Sequence, residues 1–365
     1  MGTKKIVHPS EFIDKQLVET LRSYSAEAEQ LKSLHPEQLS IIYKQGWFKL
    51  FVPKRYGGLA LPLPEALQIE EALAWTDGSL GWTVTLCSGA NWFVGFIQEK
   101  IAKNIFNNDT VCLVGSGKPS GIAKAIDGGY EITGYWNYAT GSVHATAFTA
   151  NCLIEKDGSI IKNDDGTPKI SAFLLLKDEV TIHKSWNYIG MTATASNSFE
   201  VKELKVSADR VFVIDKNYST MNEPIYQYPF LHFAEATLAV NSSGMAYRFL
   251  ELYESINANS KRKVDPEMIL QLDELKDQFK TSRQFFYLSV QRSWQAHIAN
   301  DSTSPEKLQF VSHASRELAA SARILVDRLY PYCGLAAADM RSEINRVWRN
   351  FHTACQHPLL LSYVQ

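Results

Sequence analysis

The chain has 365 residues, 45% of them hydrophobic and 21% charged, which is ordinary for a globular protein with room for two or three domains. Lys and Arg number 37 against 39 Asp and Glu, and a formal net charge of −2 gives no field to recruit nucleic acid or an anionic membrane. Five scattered cysteines (Cys87, Cys112, Cys152, Cys333, Cys355) argue against a disulfide framework and for a reducing compartment. The opening "MGTKKIVHPSEFIDK" has no signal-peptide apolar core. No apolar run approaches the ~18 residues that span a bilayer. The expectation is a cytoplasmic protein without nucleic-acid or membrane partners.

Three textures follow one another along the chain. Residues 1–109 read as an N-terminal helical domain, with Leu17, Leu21, Ala28 and Leu31 at helical spacing and Pro64 near a helix start after the "FVPKRYGG" loop. Residues 110–217 read as a β domain. The runs "YEITGYWNYA", "TAFTANCLIE", "ISAFLLL" and "NSFEVKELKV" are rich in β-branched and aromatic residues, with Asp-Gly turns at 157–158 and 165–166. Antiparallel strands at that spacing predict a small barrel or sandwich. Residues 218–365 return to helical period: one stripe joins Ala314, Leu318, Ala322, Leu325 and Leu329, another joins Ile344, Val347, Trp348 and Phe351, with Arg341, Asn345 and Arg349 elsewhere. Breaks at "NANSKRKVDPEM" and "IANDSTSPEK" make this a bundle of about four helices. The fold class is α+β, mainly α.

Near the C-terminus "HTACQH" packs His352, Cys355 and His357 together. His352 and Cys355 share a helix face, but His357 lies roughly 140° around an ideal helix from His352. Pro358 ends the helix before it and aims His357 independently. A metal site is therefore not expected. A histidine at a helix C-terminus meets the negative end of the dipole, which favours its protonated form; it can serve there as a proton donor or as a plain cap.

Specific strings then resemble one family. "GWFKLFVPKRYGGLALPLPEALQIEEALAWTDGSLGW" (46–82) is similar to the N-terminal domain of the acyl-CoA dehydrogenase superfamily, with its "P-x-x-Y-G-G" loop and Asp-x-Ser element. "SWNYIGMTATASNSFEVKELKVSADRVF" (185–212) resembles its β-domain stretch, and "INRVWRNFHTACQH" (344–357) its last helix. The resemblance implies that family's arrangement of helical domain, β domain and four-helix bundle. It also implies a flavin between sheet and bundle, and a homo-oligomer, tetramer or dimer.

The chain departs from the family's dehydrogenases. "VCLVGSGKPSGIAKAIDGGYEITG" lacks the Thr-Glu-Pro flavin loop, no Arg-Gln-x-Phe-Gly follows, and no glutamate lies after Glu343. A displaced carboxylate base, with Glu235 and Glu251 as candidates, keeps a dehydrogenase open as an alternative; a non-catalytic ligand-binding member is a second. "DGGYEITGYWNYATGSVHA" (127–145), Trp82 after "DGSLG" and the terminal histidine resemble the flavin-dependent monooxygenase-like branch, with its phenol hydroxylases and dibenzothiophene monooxygenases. That resemblance implies reduced FAD or FMN taken from solution and reacted with O2, a small organic substrate, and a separate flavin reductase or electron acceptor as partner. It places Thr140, with Ser142 as its neighbour, at the flavin N5, and His357 where oxygen is handled. Thr140 and Ser142, two apart on a strand, would share a face. A hydroxyl suits because it donates and accepts, and imidazole because it titrates near neutrality. Trp136, Tyr138, Trp186, Thr194, Ser196 and Ser116 are the further cofactor-binding candidates. For Trp136 and Tyr138, packing is the competing reading, and for "GSGKPSG" (115–121) a plain turn is.

Overall fold

The computed structural model describes residues 6–259, 264–299 and 305–361. Six helices come first: α1 (Lys15–Ser23), α2 (Ser25–Leu31), α3 (Pro36–Gln45), α4 (Leu63–Thr76), α5 (Gly78–Asn91) and α6 (Glu99–Phe106). Local chemistry sets their ends. His35 and Gln38 form a capping box on α3, which stops at left-handed Gly46, and Asp77 caps α5 by accepting the Leu80 N–H at 2.9 Å. Leu21 and Ala28 are buried as their spacing predicts, but Leu31 is half exposed, because the chain turns left-handed at Lys32 and ends α2 there.

The strands are β1 (Leu113–Ile126), β2 (Gly129–Ala139), β3 (Ala147–Lys156), β4 (Ser159–Ile160), β5 (Ile170–Leu176), β6 (Thr181–His183), β7 (Asn197–Ser207) and β8 (Val211–Phe212). They form one sheet in the order β6-β7-β2-β1-β3-β5-β8, with β4 paired to β3. It is not wholly antiparallel: β1 and β3 run parallel. The "GSGKPSG" segment lies within β1, and its register against β3 jumps between Ser116 and Gly121, so it is a bulged strand rather than a free loop. The Asp-Gly turn at 157–158 forms as read, with both residues at positive φ.

Helices then resume: α7 (Pro224–Gln227), α8 (Phe230–Ala258), α9 (Pro266–Ile298), α10 (Pro305–Leu329) and α11 (Glu343–Ala354). The predicted interruption at "NANSKRKVDPEM" and the one at "IANDSTSPEK" fall partly outside the described residues. Helix α8 is central, packing on α4, α10 and α11. At Gly244 the backbones of α8 and α4 meet, and a Cβ there would lie 2.3 Å from the Glu71 carbonyl oxygen. The α10 stripe Ala314, Leu318, Ala322, Leu325 and Leu329 is fully buried. In α11, Asn345 and Arg349 lie off the apolar stripe, yet both are buried. Glu71 of α4 crosses to α9, where Arg283 Nε and Nη2 donate to it at 2.7 and 2.6 Å and Tyr287 donates at 2.7 Å. No helix among the described residues is long and apolar enough to cross a membrane.

Candidate active site

Where α5, the start of β1, β3, α8 and the C-terminal turn converge, they enclose a cavity of about 290 Å³. Its walls are apolar and aromatic, with Leu86, Phe93, Phe230, Phe233 and Leu238 prominent. Among the described residues that line it none carries a formal charge, and the one ionisable side chain is His357. Thr140 and Ser116 line the same cavity, so three residues singled out from the sequence meet here.

Thr140 does not sit on a strand. β2 ends at Ala139, after its register against β7 has slipped between Trp136 and Ala139 and Tyr138 has taken φ +66°. That bulge breaks the alternation that would align Trp136, Tyr138 and Thr140. Trp136 is fully buried, stacked on Phe199 at 5.0 Å and donating to the Asn151 carbonyl, whereas Tyr138 is 62% exposed beside Trp186 and Tyr188. Gly141 then turns at φ +79°, and its missing Cβ leaves room for Cys87 Sγ, which would otherwise be 2.7 Å away. Ser142 is thereby turned off the cavity. Its hydroxyl donates to the Ala195 carbonyl at 2.7 Å and accepts from Asn197 Nδ2 at 3.1 Å. The shared face expected of Thr140 and Ser142 is therefore not formed.

Beneath Thr140 runs the turn 191–196. Met191 and Ala195 are both left-handed without being glycine, a conformation that costs of order 1 kcal/mol or more each and persists only where the surroundings impose it. The surroundings are explicit. Asn350 Oδ1 accepts the Met191 N–H at 2.6 Å, Trp186 Nε1 donates to the Met191 carbonyl at 2.8 Å, and the Gly141 N–H donates to the Thr194 carbonyl at 2.8 Å. Trp186 thus braces the turn. Thr194 and Ser196, both buried, bind each other at 2.7 Å, and Ser196 lies 2.8 Å from Thr140 Oγ1. Arg349 holds the preceding segment through Ile189's carbonyl at 2.8 Å while pairing with Glu29 of α2 and Asn345. The sequence pointed to "WRN" only as a landmark of the last helix; its part in bracing this turn shows only in three dimensions.

The "HTACQH" trio separates. His352 turns to Asp327, with Nε2 3.2 Å from Oδ1, and packs on Trp348; Cys355 is buried, its thiol pushed up to about 11 by desolvation. His357 reaches the cavity. It caps not the end of α11 but the start of the following 3₁₀ turn Pro358–Leu360, its Nδ1 accepting the Leu359 N–H at 3.3 Å. Desolvation pushes its pKa down to about 4. The protonated form expected from the helix dipole is therefore not the resting one: burial outweighs the dipole. With Nδ1 accepting, the neutral ring carries its hydrogen on Nε2, which has no protein partner among the described residues. Trp82 flanks the ring at 6.0 Å. Glu235 and Glu251, the carboxylates considered as a displaced base, do not line the cavity; Glu235 is held by Arg316 and Ser312, Glu251 by Arg248 and His8.

Residues 229–361 match the family described as acyl-CoA dehydrogenase, C-terminal domain. Over 359 residues the chain is 24% identical to the flavin-dependent monooxygenase, oxygenase subunit HsaA, of Rhodococcus jostii, covering 93% of this chain and 92% of that one. The solved structure of 3-HSA hydroxylase from Rhodococcus sp. RHA1 superposes with a TM-score of 0.87 at 21% identity, covering 98% of this chain and 94% of that one. XiaF from Streptomyces sp., solved with FADH2 and glycerol, gives 0.79 at 19% identity, covering 94% and 91%. Through residues 229–361 the chain is thus similar to the acyl-CoA dehydrogenase superfamily, and along most of its length to flavin-dependent monooxygenases.

Proposed function

We propose that this protein is the oxygenase component of a flavin-dependent monooxygenase, taking reduced FAD or FMN and O2 to oxygenate a small, uncharged aromatic or heteroatom substrate. The observation that carries the reading is the cavity itself: a hydroxyl and a neutral imidazole with hydrogen-bonding capacity to spare share an aromatic-lined space without a carboxylate. Two of these relatives support it, one named an oxygenase subunit and the other solved with FADH2. A dehydrogenase needs a carboxylate base at the substrate, and among the described lining residues there is none.

The residues present fit a flavin. The Thr140 hydroxyl has one protein partner and room for another, and the apolar, aromatic walls suit a planar ring. Bound reduced flavin supplies the electrons that activate O2. Thr140 would hold the flavin edge, and Ser116 stands at the β1 wall of the same space. His357 works as a hydrogen-bond donor through Nε2, because a group with pKa about 4 is not an imidazolium acid at neutral pH. The phenyl groups of Phe93, Phe230 and Phe233 exclude water and pack a planar substrate. The name "oxygenase subunit" supports a separate reductase as partner. Apolar Phe310 and Ile324, about half exposed on α10, offer surface to a homo-oligomer, dimer or tetramer, and the free cysteines suit a reducing compartment, the cytoplasm.

Anaerobic addition of reduced FMN or FAD followed by oxygen tests the reading. The protein is expected to bind the reduced flavin and to change its rate of oxidation from that of free flavin. Oxidation indistinguishable from free flavin, with both flavins, would refute it.

A further inference from the structure

Three hydroxyls end on one carbonyl behind the cavity wall, and their hydrogens can be assigned by counting. Thr194 Oγ1 lies 2.7 Å from the Met191 carbonyl oxygen, which can only accept, so the Thr194 hydrogen is spent there. The 2.7 Å contact between Thr194 and Ser196 then needs the Ser196 hydrogen. The 2.8 Å contact between Ser196 and Thr140 in turn needs that of Thr140. Each hydroxyl has one hydrogen, and the chain uses all three in one direction. All three residues are at least nine-tenths buried, so water does not offer alternative partners on the protein side. The carbonyl at the end is fixed too, since Met191 is held left-handed by Asn350 and Trp186.

We infer that Thr194 and Ser196 are positioning residues that polarise Thr140, leaving it only lone pairs to offer the cavity, so that the site selects the reduced state of a flavin. This rests on the reading above that Thr140 meets the flavin N5. Reduced flavin carries a hydrogen on N5 and can donate to Thr140; oxidised flavin has a bare N5 that needs a donor, and the relay denies it one. Discrimination between redox states is thus built into a turn that need not touch the cofactor. Thr194 and Ser196, which their sequence position offers as direct flavin contacts, act here through Thr140.

The test is the ratio of dissociation constants for oxidised and dithionite-reduced FMN, measured anaerobically on the full chain by tryptophan quenching. In the unaltered protein the reduced form is expected to bind tighter. Ser196→Ala frees the Thr140 hydrogen, and the ratio of oxidised to reduced constants is expected to fall about tenfold, the worth of one hydrogen bond. Thr194→Val should move it the same way, and Thr194→Ser, which keeps the hydroxyl, should restore it. A role in folding alone would weaken both redox states together and leave the ratio unmoved. A ratio unchanged within twofold in Ser196→Ala overturns the relay; if that variant does not fold, an unchanged ratio in Thr194→Val does so. If the unaltered protein binds neither redox state, the flavin reading itself falls and the relay with it.

Discussion

Asn350 on α11 accepts the Met191 amide at 2.6 Å, so the last helix of the bundle grips the turn that carries Thr194 and Ser196. Asn350→Ala would leave a buried N–H unpaired at a cost of about 1–3 kcal/mol. We expect a lower melting temperature and a roughly tenfold loss of reduced-flavin affinity, with Asn350→Asp, which keeps the acceptor, recovering much of both. Equal losses in the two variants would show that the acceptor oxygen is not what holds the turn.

His357 gives a pH prediction with a definite sign. Its folded pKa, about 4, lies below the unfolded value near 6.5, and His144 is likewise pushed to about 4 by burial. Between those values the unfolded chain binds more protons than the folded one, so stability falls as pH drops from 6.5 toward 4. His357→Asn should lose less melting temperature between pH 7 and 4.5 than the unaltered protein. Flavin binding should be flat from pH 6 to 8. An inflection near 6.5 that disappears in the variant would mean that the imidazole titrates normally.

Charge on the substrate should be penalised. The lining supplies no cation to a carboxylate, and burying an unpaired charge is costly. A neutral phenol is expected to bind at least tenfold tighter than its ring-carboxylated analogue, measured by displacement or by direct calorimetry at pH 7. Equal affinities would place the substrate outside this cavity.

Arg283 and Glu71 form a buried pair outside the cavity lining, and Arg283→Met should destabilise the fold by about 3–5 kcal/mol by stranding the carboxylate. Adding Glu71→Gln should restore part of that loss in denaturant unfolding, because the stranded charge is gone.

The order of helices, sheet and bundle was readable because the hydrophobic period itself changes from 3.6 to 2 and back. The site was half legible. Thr140, Ser116 and His357 meet at the cavity, yet strand alternation misplaced Ser142 and Tyr138, because a bulge near Tyr138 and a left-handed Gly141 reset the phase. Arg349 reads only as lying off the apolar stripe; its partner Glu29 lies 320 positions earlier, which no local pattern reveals. The state of His357 was misjudged for a similar reason. Helix ends are visible in sequence, but the burial that outweighs the dipole comes from Trp82 beside the ring and from the turn Pro358–Leu360 packing on α8.

The most direct test of the monooxygenase account supplies the protein with reduced flavin, ¹⁸O2 and a panel of neutral aromatic substrates, and reads the products by mass spectrometry. The account predicts a product carrying one labelled oxygen atom, with the label lost when His357 is replaced by Phe. A product oxidised without label, or label appearing only from H2¹⁸O, would contradict it.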